Sequence, residues 1–495
     1  MNSDTANIIH QEDVQPETSP APAAQKSAGR LHVFLLLLLS GLALFVCTYI
    51  SAWHDGPTGD EPHYLVISQT LWLYHSLDVT LDYSHNDYKV FYRGPLGPLQ
   101  HTSLNKWGQL LPLHSIGVPV LWVIPFALAG KLGTLMFMSL ISVLIVLACY
   151  SLLISLGIQR NYAFLTSLGL ALASPVWVFS HRNFVEPVAA LFCIYIVQVI
   201  FKKRLRAWDL IGASLALGIL PWVHIRFAQL EIVLACFLVL RVFQDYRLRR
   251  LSPYLAAILP VAAMFLAFEA YNYFVWGSLN PAVNQANSGE VPFDVAPWRG
   301  LYGLFFDQEY GLLTNFPIFL FLLGGLVLSF KKRFLRFNLL VLFLAVPYII
   351  TIAAFHNWDG AISPPARFLM VLVPVFSFYL ALALQSARSW IINVIFIIFM
   401  GVSMLYEGVS MTLDGGWINW QRGFSPPLLL ISQALHIPLV MGVPTVMQPI
   451  KVNENHYSQV FPVTLWLVLL LGLALTVILL NRRQAVLAEN TRNAA

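Results

Sequence analysis

The chain has 495 residues and a formal net charge of +5; 58% of its residues are hydrophobic and only 11% are charged. Soluble globular proteins carry about 25% charged residues, so this composition excludes a soluble enzyme, a disordered scaffold and a nucleic-acid-binding protein. The four cysteines all lie in apolar runs, which indicates buried side chains rather than a disulfide framework. With a mean hydropathy of +0.69, the chain is predicted to be a polytopic membrane protein.

Apolar runs divide the chain into predicted elements. The first 30 residues are polar and rich in Ala, Pro and Ser, which predicts a disordered cytoplasmic tail. A long apolar run over 31–53 then predicts a membrane anchor, and a second short tail is expected over 481–495. The membrane domain over 31–480 is predicted to be all-α with about twelve transmembrane helices. The eleven further spans are expected at about 132–157, 161–180, 186–201, 208–223, 226–243, 253–275, 312–330, 337–355, 367–384, 389–410 and 461–480.

Basic residues cluster in alternate connections and so predict the orientation. Under this topology about two thirds of the 29 Lys and Arg residues lie on the same side as the termini. The positive-inside rule then places both termini in the cytoplasm of a plasma (inner) membrane. Three long outer segments follow, over 54–131, 276–311 and 411–460. The apolar stretch 112–126 contains three prolines and is expected to form an interfacial helix, because a span there would put the basic clusters outside.

The densest polar cluster follows the first span, in the sequence Gly-Asp-Glu-Pro-His-Tyr over 59–64. Pro62 suits the first turn of a helix, and carboxylates at Asp60 and Glu61 would be stabilised by the helix dipole. Asp60 is equally compatible with a helix cap and with a catalytic carboxylate. The following residues, 64–74, are expected to form an amphipathic interfacial helix.

Three other charged residues on the outer side admit two interpretations each. Glu186 precedes Pro187 at the start of a span and is either a second site carboxylate or a charge at a helix start. Arg226 lies among apolar residues, where an arginine needs a partner or an aqueous cavity. It is expected either to bind phosphate or to have a structural role, by pairing with Glu231 or Glu269 or by snorkelling to the interface. Arg367 is a second phosphate-binding candidate or a headgroup anchor. The 13 histidines show no recognised metal-ligand spacing.

Four short stretches, in this order and on one predicted membrane face, resemble the GT-C glycosyltransferases. This superfamily includes protein O-mannosyltransferases and the aminoarabinose transferases that modify lipid A. The acidic pair in 59–64 matches the start of the family's first outer loop, and 114–119 is similar to the stretch that closes it. The residues 181–187 lie where the family has a second acidic residue, and 358–367 resembles a late outer loop with a basic residue before a span.

The resemblance implies a donor sugar on a polyprenyl phosphate, transferred to a hydroxyl of a glycolipid, glycan or protein at the outer face, with membrane lipids as further partners. Asp60 is then the expected general base and Glu61 its supporting neighbour. Use of a divalent metal stays open, with Asp60 and Glu186 as the candidate ligands. The remaining implied site residues are the second carboxylate Glu186, the phosphate-binding Arg226 and Arg367, and His63, His114 and Arg182, which accompany the motifs.

Two other functions fit a polytopic chain. A transporter would use Arg226, Glu231 and Glu269 to line a pathway, but the sequence shows no pair of matching halves. A polysaccharide polymerase or ligase would also have large outer loops, and it would not depend on a donor carrying a single sugar on a lipid phosphate.

Overall fold

The protein is described by a computed structural model covering residues 22–99, 101–280, 293, 295–413, 423–446, 451–452, 455–456 and 459–494. Helices make up most of it, and two small antiparallel hairpins complete it. The helices are α1 Pro22–His54, α2 Glu61–Tyr74, α3 Thr80–His85, α4 Gly117–Ser155, α5 Arg160–Leu172, α6 Pro175–Ser180, α7 Glu186–Phe201, α8 Ala207–Val223, α9 Ala228–Tyr246, α10 Ser252–Trp276, α11 Pro297–Phe306, α12 Leu312–Asn315, α13 Phe321–Leu328, α14 Leu335–Ala354, α15 Val373–Ala387, α16 Trp390–Ser410, α17 Pro426–Leu435 and α18 Val460–Ala494. The strands are β1 Thr102–Leu104, β2 Leu110–Pro112, β3 Lys451–Val452 and β4 Asn455–His456.

The expected all-α membrane class is confirmed, whereas the number of twelve spans is not. Within the described residues, six helices are long and apolar enough to cross a membrane: Gly29–His54, Gly117–Ser155, Ser252–Trp276, Lys332–Ala354, Trp390–Ser410 and Val460–Thr491. Five shorter apolar helices accompany them, including α7, α8 and α15.

Two predicted spans are divided by local stop signals. The span expected over 161–180 ends as α5 and restarts as α6, because the Ser174 side chain caps the new helix and Pro175 opens it. The span expected over 312–330 is interrupted at Phe316, which precedes Pro317 and has a non-helical backbone. The span expected over 367–384 is helical only from Val373.

Helix bounds also differ from the predicted tails and interfacial helices. α1 begins at Pro22 and α18 continues to Ala494, so helix extends into both expected tails, while residues 1–21 lie outside the described part. The stretch 112–126 enters α4, whose backbone breaks at Ala129 and Gly130, close to the predicted start of the next span. Much of 276–311 and 411–460 also lies outside the described residues.

The segment between α1 and α4, predicted to be the first outer segment, is folded onto the helix bundle. The prediction of an amphipathic α2 is wrong, since its first ten residues are all buried and the helix packs against α4. The β1–β2 hairpin connects this layer to α4, with Ser103 opposite Leu111. An outer loop that buries both faces of a helix forms a fixed cover over the bundle rather than a connector.

A buried helix at the centre of the bundle positions the candidate site. α15 is apolar all round and almost wholly buried, as expected for a helix with neighbours on every side. The residues just before it, 367–372, meet the start of α7, the connection between α8 and α9, and the loop after α1. Four separate chain segments therefore converge at one end of the bundle.

Candidate functional site

Two carboxylates and two arginines form a continuous charged cluster at this end of the bundle. The Arg367 guanidinium donates from Nη2 to Asp60 Oδ2 over 2.6 Å and from Nε to Glu186 Oε1 over 2.8 Å. Arg226 Nη2 donates to the same Glu186 oxygen. The sequence positions of these four residues span more than 300 residues, so only the tertiary fold brings them together.

Asp60 reaches this cluster through a close approach of two loops. It occupies the residue before α2, but its side chain makes no capping hydrogen bond and instead accepts from Arg367. The preceding Gly59 has φ +57°, and a Cβ there would lie 2.3 Å from the carbonyl oxygen of Ile362. Only glycine permits this packing, which holds the first outer loop against the loop that carries Arg367. The Asp60 side chain therefore does not cap α2, and its role as a site carboxylate stays a prediction.

Arg367 is oriented by its own loop. Its Nη1 donates to the carbonyl oxygen of Gly360, whose φ is +84°, and a Cβ at Gly360 would lie 3.0 Å from Arg367 Cδ. The guanidinium also lies over the Phe184 ring, 4.6 Å from its centroid. Backbone, aromatic and carboxylate contacts together fix the plane of this guanidinium, which prepares it to present its remaining N–H groups in one direction.

Glu186 is fully buried and holds both arginines. The structure pairs Arg226 with Glu186, so the expected alternatives Glu231 and Glu269 are wrong as its partners. Among the described residues, Arg226 Nε and Glu186 Oε2 are buried without a hydrogen-bond partner. Buried polar atoms are nearly always paired in proteins, so these atoms mark the cluster as a place where a polar ligand would complete the hydrogen bonding.

Glu61 and Arg182 lie in a second, structural layer. Glu61 Oε2 accepts from the Thr58 backbone N–H, and its Oε1 accepts from the Asn183 backbone N–H over 2.6 Å. Arg182 donates to Asp55 Oδ2 over 3.1 Å and lies 3.9 Å from Glu61. Burial raises the pKa of Glu61, and Arg182 and the two N–H groups oppose that shift. These contacts give Arg182 a positioning role, and its binding of substrate stays a prediction.

The segment 181–186 joins this layer to the helices. His181 Nε2 lies 3.2 Å from Glu407 Oε1 in α16, and both side chains are 1% exposed. The next residues pair with the first outer loop, and Glu186 pairs with the arginines. Each polar side chain in this segment therefore binds a different part of the fold.

Three histidines stack beside Asp60. The rings of His63 and His101 lie 3.5 Å apart between centroids, and His101 Nδ1 is hydrogen-bonded to His114 Nε2 over 2.9 Å. His63 Nδ1 is bonded to the Tyr83 hydroxyl over 2.7 Å. The predictions included His63 and His114 but missed His101, because its partner is supplied across the β1–β2 hairpin rather than by spacing within a helix.

The pKa shifts follow from burial and from Arg367. Burial alone would raise the pKa of Asp60, but the adjacent Arg367 guanidinium outweighs it and holds the pKa well below its usual range. Burial lowers the pKa of His63 and His101, and lowers that of His114 to about 4. At neutral pH the carboxylate is therefore ionised and the three imidazoles are neutral.

A metal would fit a different set of residues from the one predicted. The expected pair, Asp60 and Glu186, is bridged by Arg367, so these carboxylates do not form a metal site in this arrangement. Asp60, His101 and His114 instead each offer a ligand atom, and these atoms lie within 4.8 Å of one another. Two neutral imidazoles and one carboxylate are a ligand set suited to Zn²⁺ with an open position, although the hydrogen bond between the histidines would have to open.

Comparison with solved structures shows which fold this is. ArnT from Cupriavidus metallidurans bound to undecaprenyl phosphate aligns with a TM-score of 0.51 and 15% identity, over 91% of this chain and 76% of that one. Its apo form aligns with a TM-score of 0.50 and 16% identity, over 93% and 77%. An Archaeoglobus fulgidus oligosaccharyltransferase in complex with Zn and sulfate aligns more weakly, with a TM-score of 0.40, 13% identity, and coverage of 77% and 56%. No family model and no curated protein matches the sequence. These two alignments show that the chain has the fold of ArnT.

Proposed function

We propose that this protein transfers a sugar from a polyprenyl-phosphate donor to an acceptor hydroxyl at the outer face of the inner membrane, with its termini in the cytoplasm. The observation that carries the proposal is the Arg367 guanidinium held between Asp60 and Glu186, with Arg226 on the same glutamate. The ArnT fold supports it, because one of the similar structures holds undecaprenyl phosphate. The acceptor is a glycolipid, a glycan or a protein.

The arginine pair suits the donor phosphate. A sugar linked to a polyprenyl phosphate is a phosphodiester with one negative charge, and its departure leaves a monoester with an additional charge. Arg226 has a buried Nε without a partner among the described residues, and Arg367 has N–H groups beyond the three that are bonded. Arginine binds phosphate oxygens through two parallel hydrogen bonds, so this pair would hold the charge that develops on the leaving group.

Asp60 is the proposed base. The acceptor oxygen attacks the anomeric carbon, the bond from that carbon to the phosphate oxygen breaks, and the electron pair leaves with the phosphate. The hydroxyl proton passes to Asp60. Without donor, Arg367 keeps Asp60 ionised and hydrogen-bonded; a donor phosphate that competes for Arg367 would free the carboxylate and raise its proton affinity.

The total charge of the cluster and the bound phosphate is the same before and after the chemical step. Asp60 and Glu186 offset the two arginines before donor binds. During transfer the phosphate gains one negative charge, while Asp60 loses one by taking the proton. The total charge of the buried site is thus unchanged by the chemical step, which avoids the cost of creating an unpaired charge in a poorly solvated region.

The test is transfer of a labelled sugar from a polyprenyl-phosphate donor by the purified protein in liposomes. The donor is identified first, by mixing the protein with a membrane lipid extract and following which lipid-linked sugar is consumed. Sugar transfer that releases polyprenyl phosphate is the expected result. Transport of a solute with no covalent product would overturn the proposal in favour of the transporter.

A further inference from the structure

A cavity separate from the charged cluster lies between α1 and α5. It measures about 480 Å³ and is lined by Gly29, Arg30, Val33, Phe34, Leu37 and Arg160. From Arg30 to the loop carrying Asp55, α1 rises for about 25 residues at roughly 1.5 Å each, or about 38 Å. The cavity is therefore separated from the charged cluster by the thickness of a bilayer.

The cavity has two cations and, within the described residues, no anion paired to them. Neither Arg30 nor Arg160 forms an ion pair with a described residue, and Arg160 Nη1 is buried without a hydrogen-bond partner there. The Arg160 guanidinium lies across α1, where a Cβ on Gly29 would meet its central carbon at 3.4 Å. An unpaired buried N–H on a charged group is costly, so an anion that accepts a hydrogen bond from Arg160 would be stabilised here.

The remaining lining is apolar and runs along the membrane-facing side of α1. Val33, Phe34 and Leu37 are 37%, 58% and 45% exposed, and they follow Arg30 on successive turns of α1. The stacking of His32 on Phe164, at 4.9 Å between ring centroids, fixes α1 against α5 beside them. A ligand seated here would have a negative head against the arginines and a hydrocarbon part against this strip.

We infer that this cavity binds an anionic phospholipid, with its phosphate between Arg30 and Arg160 and an acyl chain along Val33, Phe34 and Leu37. The guanidinium groups match phosphate oxygens, and the first residues of a membrane helix lie at headgroup depth. A free phosphate would satisfy the arginines but would leave the apolar strip unused. The inference concerns the lipid that surrounds the enzyme and does not depend on the proposed sugar transfer.

The test uses the full chain in detergent with added phosphatidylglycerol, phosphatidylcholine or inorganic phosphate. Native mass spectrometry counts the lipids that remain bound, and thermal denaturation measures the stabilisation by each additive. We expect phosphatidylglycerol to bind and stabilise more than phosphatidylcholine. Arg30→Gln and Arg160→Gln should each weaken its binding about fivefold, as expected for one cation near a headgroup.

The control is Arg204→Gln, which removes an exposed arginine outside the cavity and should leave phosphatidylglycerol binding unchanged. Phe34→Ser keeps both charges and should also weaken lipid binding, which keeps the inference testable if Arg160→Gln fails to fold. Equal binding of phosphatidylglycerol by wild type and the double arginine variant would overturn the inference. Stabilisation by inorganic phosphate as strong as that by phosphatidylglycerol would overturn the assignment to a lipid.

Discussion

Replacing Asp60 by Asn tests the proposed base most directly. The substitution keeps the size of the side chain and an oxygen that accepts from Arg367 Nη2, but it removes the charge and the ability to take a proton. Transfer should fall by about 10²–10⁴-fold, the usual contribution of a general base. Donor binding should be equal or tighter, because the site loses one negative charge that competes with the phosphate for Arg367.

The cost in stability should be small. The ion pair becomes a hydrogen bond in which only the guanidinium is charged, a difference of about 1 kcal/mol, and Glu186 still neutralises part of the arginine charge. The matched control is Asp245→Asn, which also removes a carboxylate paired with an arginine, Arg241, at nearly the same exposure (28% against 27% for Asp60). The control should transfer sugar at the wild-type rate.

The assay combines sugar transfer in liposomes with donor binding and thermal denaturation. Wild-type transfer by Asp60→Asn would refute the base assignment and leave Asp60 as a counter-ion for Arg367. Glu61→Gln provides the contrast. Glu61 accepts hydrogen bonds from two backbone N–H groups, and the NH₂ group of a glutamine would face one of them, donor to donor. It should lose stability by about 1–3 kcal/mol while retaining measurable transfer; complete loss of transfer in a stable Glu61→Gln variant would move the base by one residue.

Arg226→Ala leaves Glu186 paired with Arg367, so this variant should fold and yet bind donor about 10–100-fold more weakly. Arg226→Lys should restore little of the lost affinity, since an ammonium lacks the two-pronged geometry of a guanidinium. Unchanged donor affinity in Arg226→Ala would remove Arg226 from the phosphate site. Single cysteines are placed at positions 87 and 203 in a cysteine-free background. The cysteine replacing Asp87 should be labelled from outside, and the cysteine replacing Lys203 should be protected. External labelling at 203 would reverse the predicted orientation. Burial, and secondarily Asp87, raise the pKa of Asp82 to about 7. Because this pKa is higher in the folded than in the unfolded state, the free energy of unfolding falls as the pH rises from about 4 to 7. Asp82→Asn should therefore raise the melting temperature at pH 8 more than at pH 5, and an equal change at both would contradict that sign.

The membrane class and several helix bounds were predictable from the sequence, because long apolar runs and prolines at helix starts determine structure through residues close in the chain. α7 begins at Glu186, where the Glu-Pro pair predicted it. The divided helices α5 and α6 were missed because Ser174 and Pro175 interrupt a run that remains apolar on both sides. Mean hydropathy does not register a break of two residues, so one continuous span was predicted where the structure has two helices.

The candidate site was predictable by residue type but not by partner. An arginine among apolar residues needs a counter-ion, and that argument identified Arg226. It pointed to Glu231 and Glu269, which are near in sequence or on an adjacent span, whereas the fold supplies Glu186. His101 carried no signal at all, because its neighbours on the site are 38 residues upstream and 13 downstream and only the hairpin brings them together.

The buried pair of His181 and Glu407 has a consequence for how the protein enters the membrane during synthesis. A lone carboxylate near the end of α16 costs a few kcal/mol to insert. His181 emerges from the ribosome 226 residues earlier than Glu407, so its imidazole is already in place when α16 arrives. We therefore expect the insertion of α16 to be coupled to its docking on the α5–α7 region, so that assembly follows the order of the chain from N- to C-terminus.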